Sequence, residues 1–207
     1  MTAGASALPD YEMLELLLFQ ANPRGDVKPL AKQLLEHFGS FADVISADEQ
    51  RLREFSDSDS LVRVLKIVHA AALRLMQGKV LGQQVLSSWS SLLDYCHAAM
   101  AYSKKEQFRI LFVDNKNVLI RDEVQQHGTV NHTPVYPREV MKRAMELSAA
   151  AIILVHNHPS GDPTPSRQDI DLTKQIVEAG RPLNVAVHDH VVIGRGKTVS
   201  FRQLGLL

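Results

Sequence analysis

Residues 149–169 read AAAIILVHNHPSGDPTPSRQD. The first seven are apolar at every position, which describes a central strand covered on both faces rather than a surface strand with alternating polarity. From His156 onward the chain leaves the C-terminal end of that strand, where open α/β sheets place their ligands. Pro159 pushes His158 towards an extended backbone, and two residues of separation along an extended chain put the His156 and His158 imidazoles on one side, with Asn157 turned away. Ser166-Arg167-Gln168-Asp169 reads as a capping-box-like helix start, so the first turn of that helix offers the Asp169 carboxylate back to the histidine pair. The seven residues between hold three prolines and a glycine, a composition that suits a fixed loop.

Two imidazoles and one carboxylate make a three-ligand set with a fourth position left for water, the pattern of catalytic rather than structural zinc. A donor set without thiolates favours zinc over magnesium or calcium and leaves iron, manganese and cobalt open. Hydrolysis at such a centre needs a proton shuttle as well. Glu123, on a strand-like stretch at 118–124, is the candidate, with Glu106 and Glu139 as competitors from neighbouring elements. Ser166 could donate its hydroxyl to a developing oxyanion.

Working outwards, period-two patterns at 108–113 and 118–124 around the turn 114–117 predict two paired strands. Helices are expected from about 90 to 102, from Pro137 to about 147 and from 166 to about 179. Further strands are expected at 183–187, 191–193 and 198–201. Upstream, leucine and valine stripes predict helices near 10–21, 28–38 and 61–76, the second ended by Gly39, with Leu65, Val68 and Leu75 among the core positions of the third. Residues 77–84 lack strong periodicity and read as a linker. The expected organisation is a small helical domain at 1–80 and an α/β domain at 85–207.

The composition narrows the function classes. Among 207 residues, 45% are hydrophobic and 22% charged, enough to build a core and too much for disorder. Lys+Arg and Asp+Glu both total 23, so no global field draws the chain to nucleic acid or anionic lipid. The longest apolar run has seven residues, against the about 20 needed to cross a bilayer. The start, MTAGASALPD, reads as neither a secretory signal nor a transit peptide. Cys96 is the one cysteine, which with that start fits a reducing cytoplasm. A single cysteine also excludes the Pro-Cys-x-x-Cys pair of the zinc deaminases. Neither Ser160 nor Ser166 lies in a Gly-x-Ser-x-Gly elbow. The stretch 194–198 imitates the end of a phosphate-binding loop, but Val191 stands where the first glycine belongs. His188-Asp189-His190 forms a second same-side histidine pair at a strand end, with no third ligand at a recognisable spacing. It is expected to serve behind other ligands or on a hydrogen-bonded surface. Asn131-His132-Thr133 matches a glycosylation acceptor, irrelevant without secretion.

These residues resemble the RadC proteins, the bacterial branch of the JAMM (MPN-plus) metalloprotease superfamily. The superfamily signature is an upstream Glu, then His-x-His, seven residues, Ser, two residues and Asp, and 156–169 fit it in full. Further RadC-like pieces are Asp122-Glu123-Val124 with Gly128-Thr129, residues 135–140, Asp189-His190 and Val199-Ser200-Phe201. The likeness covers about residues 85–207. It implies a mixed β-sheet sandwiched by helices, with cytidine-deaminase-like layers, beside a small N-terminal all-α domain. By the same likeness His156, His158 and Asp169 would hold Zn2+, Glu123 would act as general base and acid, and Ser166 as oxyanion donor. The implied reaction is hydrolysis of an amide or isopeptide bond in a protein or peptide substrate. A metal-binding scaffold without turnover, or a binding module associated with DNA repair, is the alternative. The N-terminal region resembles the RadC helix-hairpin-helix domain but lacks its Gly-x-Gly, and residues 1–80 carry 9 basic against 11 acidic side chains, so DNA contact there is not expected. The oligomeric state is left open, a homodimer included.

Overall fold

A computed structural model describes residues 8–85, 87–127 and 135–207. The first seven residues, Gly128-Thr129 and Asn131-His132-Thr133 lie outside the described residues. The chain divides into two compact units, Met1–Arg74 and Leu75–Leu207.

The first unit is helical: α1 (Asp10–Ala21), α2 (Lys28–Phe38), α3 (Phe41–Ser46), α4 (Glu49–Arg53) and the greater part of α5 (Asp59–Val80). Leu14, Leu18, Ala31, Leu34, Val44, Leu52 and Leu65 are fully buried in its core. Pro29 lies in the first turn of α2, where its missing N–H costs nothing. Ser40 caps α3 by accepting the Asp43 N–H at 3.1 Å.

Two expectations fail in α5. Residues 77–80 are helical rather than linker, because Val80 is buried and Met76, one turn earlier, packs with it against the second unit's own core. Leu75 is 73% exposed, not core, since at 3.6 residues per turn it stands about 80° round the helix from the buried Leu65.

The second unit holds a five-stranded sheet in the order β2-β1-β3-β4-β5, from β1 (Gln107–Val113), β2 (Leu119–His127), β3 (Ala151–Asn157), β4 (Ala186–Ile193) and β5 (Thr198–Ser200). Strand β1 pairs antiparallel with β2 and β3, β3 runs parallel to β4, and β5 returns antiparallel. Helix α6 (Trp89–Met100) covers one face, packing Leu92, Cys96 and Met100 on Leu111, Ile153, Val155 and Val191. Helices α7 (Pro137–Glu146) and α8 (Arg167–Gly180) cover the other, packing Val140, Met141 and Ile176 on Phe108, Ile110, Ile152 and Leu154. Neighbouring residues along each strand thus serve opposite layers, and all seven residues of β3 are buried. The architecture is the expected mixed sheet between helices.

Where two strands were expected at 183–187 and 191–193, one continuous β4 forms. Leu183 belongs instead to a 3-10 turn, Arg181–Leu183, that ends at Asn184 with φ +54°. The polar run 188–190 continues the strand because Asp189 and His190 find partners inside. Among the described residues no helix is long and apolar enough to cross a membrane.

Candidate metal centre

His156 and Asn157 are the last two residues of β3, and their side chains leave on opposite faces. Asn157 acts as a clamp: its Oδ1 accepts the Gln107 N–H at 2.8 Å and its Nδ2 donates to the Lys105 carbonyl at 3.2 Å, which ties the approach to β1 against the end of β3. His158 comes next, its N–H bonded to the Ile193 carbonyl at 3.0 Å.

The loop beyond His158 is held at three points. The Gly161 N–H returns to the His158 carbonyl, the Arg195 N–H donates to the Gly161 carbonyl at 3.0 Å, and Thr164 donates twice to Asp162 Oδ1. Gly161 has φ +88°, and Gly194 lies so close that a Cβ there would collide with the Gly161 oxygen. The stretch that imitates a phosphate loop is the surface against which this loop is seated.

Ser166 caps α8. Its Oγ accepts the Asp169 N–H at 3.2 Å, while Asp169 Oδ2 accepts the Ser166 N–H at 2.7 Å and the Ser166 hydroxyl at 2.6 Å, a full capping box. Oδ2 is thereby engaged by Ser166, and Oδ1 is turned towards His156. His156 Nε2 stands 3.0 Å from His158 Nε2 and 3.3 Å from Asp169 Oδ1, and His158 Nε2 stands 3.5 Å from Asp169 Oδ2. One donor atom from each of the three residues lies within 4.8 Å of the others.

These side chains fit a divalent cation. A tetrahedral zinc centre with arms of 2.0–2.1 Å separates neighbouring donors by about 3.3 Å, close to the spacings seen. His158 Nδ1 lies 2.8 Å from the Asp162 carbonyl oxygen, which can only accept, so a neutral His158 carries its proton on Nδ1 and points a bare Nε2 inwards. Burial would raise the Asp169 carboxyl, but the Ser166 hydroxyl and the neighbouring His156 and His158 imidazoles, in their protonated form, outweigh it and hold the group far below the usual carboxylate range. The bond to Asp169 raises His158 against the opposing effect of burial, helped by the Asp162 carbonyl and the Glu106 charge.

The three ligand candidates and Ser166 are therefore brought together. Ser166 spends its one hydroxyl proton on Asp169, which makes it the holder of that carboxylate. Glu123 is not brought to the cluster. It lies opposite Ile110 in the β1–β2 pairing, and its carboxylate is forked by Arg143 of α7 at 2.8 and 2.5 Å, which lowers its pKa. Glu139 is exposed on the first turn of α7 beside Arg138. Glu106 is differently placed. It lies one residue before β1 and two before Phe108, which pairs with His156 in the antiparallel β1–β3 ladder, and its charge acts on His158.

A family model of RadC-like JAB domains matches residues 86–206, well over half of the chain. The chain belongs to the RadC family. A UPF0758 protein of Rhodobacter capsulatus is 60% identical across all of this chain and 97% of its own length. Another, from Ruegeria pomeroyi, is 55% identical across all of this chain and 93% of its own. Within this RadC-like JAB domain two residues stand behind the ligand candidates: His190, of the pair expected to serve behind other ligands, and Thr173, which the sequence pattern did not single out. His190 Nε2 contacts His156 Nδ1 at 2.8 Å, and His190 Nδ1 contacts Thr173 Oγ1 at 2.6 Å. A β-bulge at His188 separates the two histidines of 188–190: His188 contacts Asn117 Oδ1 at 2.8 Å, while His190 is wholly buried. Thr173 carried a sequence signal, since it lies four residues after Asp169 and shares its helix face.

Proposed function

We propose that this RadC-like JAB domain is a zinc-dependent hydrolase of amide bonds, a peptidase or isopeptidase acting on a protein or peptide. The observation that carries the reading is the convergence of His156 Nε2, His158 Nε2 and an oxygen of Asp169 within 4.8 Å of one another. Membership of the family supports a metal-dependent hydrolase in general terms. Zinc held there would supply a water acidic enough to ionise near neutral pH and a Lewis acid for the scissile carbonyl.

The protein's own side chains then divide the remaining work. The two imidazoles and Asp169 fix the position of the ion, and Ser166 fixes the rotation of the Asp169 carboxylate. Glu106, two residues before the Phe108 that pairs with His156 and close enough for its charge to act on His158, takes a proton from the attacking water on a carboxylate oxygen and passes it to the departing amine nitrogen. Glu123 takes no part, because its carboxylate belongs to Arg143.

Elemental analysis of the full chain, purified without chelator, is expected to find about one zinc per protein. Release of new amino groups from a peptide mixture is expected to fall about 10²- to 10⁴-fold in Glu106→Gln, the range for loss of a general base, and to stay within a few-fold in Glu123→Gln. A chain that takes up no divalent metal, or a Glu106→Gln variant as active as wild type, overturns the proposal.

A further inference from the structure

Behind the ligands lies a run of contacts that closes on itself. His156 Nδ1 is 2.8 Å from His190 Nε2, His190 Nδ1 is 2.6 Å from Thr173 Oγ1, and Thr173 Oγ1 is 2.5 Å from the main-chain oxygen of Asp169. His156, His190 and Thr173 are buried to within 1%, so each must find its partner within this run.

The direction of every bond is set by the last one. A carbonyl oxygen only accepts, so the Thr173 hydroxyl gives its single proton to Asp169. That hydroxyl is left to accept from His190, which must then carry its proton on Nδ1. A neutral imidazole protonated on Nδ1 has a bare Nε2, so His190 Nε2 accepts from His156, whose proton also sits on Nδ1. His156 Nε2 is left as a lone pair facing Asp169 Oδ1 and His158 Nε2. Two carbonyls, of Asp169 and Asp162, thus set the same tautomer in the two histidines from opposite sides.

We infer that Thr173 and His190 are positioning residues, which transmit the acceptor character of the Asp169 carbonyl to His156 and lock that imidazole with Nε2 presented to a divalent cation. The inference rests on the metal-site reading above and assigns two further residues to it. Asp169 enters the arrangement twice, by its carboxylate among the ligands and by its main chain at the far end of the run, so α8 cannot shift along the sheet without disturbing both. Ring packing supports the placement: His190 lies 4.5 Å from the Phe201 ring and His156 6.1 Å from that of Phe108, which restricts rotation of either imidazole.

The test uses the full-length chain as wild type, Thr173→Val and Thr173→Ser. Valine has nearly the shape of threonine but neither accepts nor donates; serine keeps the hydroxyl. Zinc dissociation constants, measured by competition with a chromophoric chelator, are expected to weaken about tenfold or more in Thr173→Val and to remain within about threefold of wild type in Thr173→Ser. Long-range proton–nitrogen spectra of wild type are expected to show His190 protonated on Nδ1, with or without zinc. A structural role alone would be seen in the thermal midpoint of the metal-free variants without the rescue of affinity by serine. Zinc uptake by wild type with Thr173→Val binding equally well, or His190 protonated on Nε2, overturns this inference alone. A wild type that takes up no zinc overturns the reading beneath it.

Discussion

At Gly194 a methyl group would collide with the Gly161 oxygen and stand 2.8 Å from Pro163 Cδ, clashes that backbone atoms and a proline ring cannot relieve by rotating a side chain. Gly194→Ala is therefore expected to push the 159–165 loop off the β4–β5 turn and carry the Asp162 carbonyl away from His158. The cost should be about 1–3 kcal/mol in urea unfolding, the usual size of overpacking, with weaker zinc binding. Ser166→Ala removes the cap and one of the two hydrogen bonds that turn Asp169. It is expected to cost about 1 kcal/mol in the same assay and also to weaken zinc binding. Cys96 carries no chemistry for the site. Burial pushes its thiol from 9.0 up to about 12, so the folded state keeps its proton where the unfolded state has lost it. The stability this represents is complete below pH 9 and is lost as pH rises towards 12. Alkylation of Cys96 near pH 8 should accordingly proceed only as fast as the second unit opens, which a thiol-labelling time course with and without urea would check.

At the scale of elements, strand β2 is fastened to both layers. Glu123 reaches Arg143 of α7 on one face, and on the other Asp122 accepts from Arg109 Nη1 of β1 at 2.5 Å and from the Tyr95 hydroxyl of α6. The Asp122 side chain is 1% exposed and that of Arg109 11%. Burial and the Asp122 charge raise the Tyr95 phenol, so it remains a donor throughout the physiological range. Asp122→Ala leaves the Arg109 charge buried without its partner and is expected to cost about 3–5 kcal/mol in chemical denaturation, whereas replacing both by apolar residues should cost less than the two single changes together. This fastening also bears on the choice of a proton shuttle. The sequence favoured Glu123, with Glu106 and Glu139 as competitors; what separates Glu106 from Glu123 in the fold is the pairing of Phe108, two residues on, with His156, and an arginine 20 residues beyond Glu123 that takes its carboxylate. The cluster of ligand candidates was legible because each part is local: alternation along an extended chain pairs the histidines, and a capping box brings Asp169 round. Helices α3 and α4, of six and five residues, are too short to display a helical period in the sequence. The continuous β4 was hidden by its buried polar residues, whose partners are distant in sequence.

In the molecule as a whole, the two units have separate cores, one around Leu14, Leu34 and Leu65 and the other around the sheet. A cation held by the second unit should stabilise that unit by mass action, about 2.7 kcal/mol at a free concentration 100 times the dissociation constant. Hydrogen exchange is expected to show this as slower exchange of β3, β4 and α8 amides on adding zinc, with α1 and α2 unchanged; an equal gain in α1 and α2 would count against a site confined to residues 156–190. The parallel pairing of β3 with β4 has a last consequence, for biosynthesis. His156 and Asp169 emerge from the ribosome well before His190, and no parallel partner can align with β3 until the intervening crossover has been made. If the proposed site is right, a nascent chain halted near residue 185 would hold the ligand candidates without the imidazole proposed to orient the first of them, so loading with metal should become tight only as the final strands arrive.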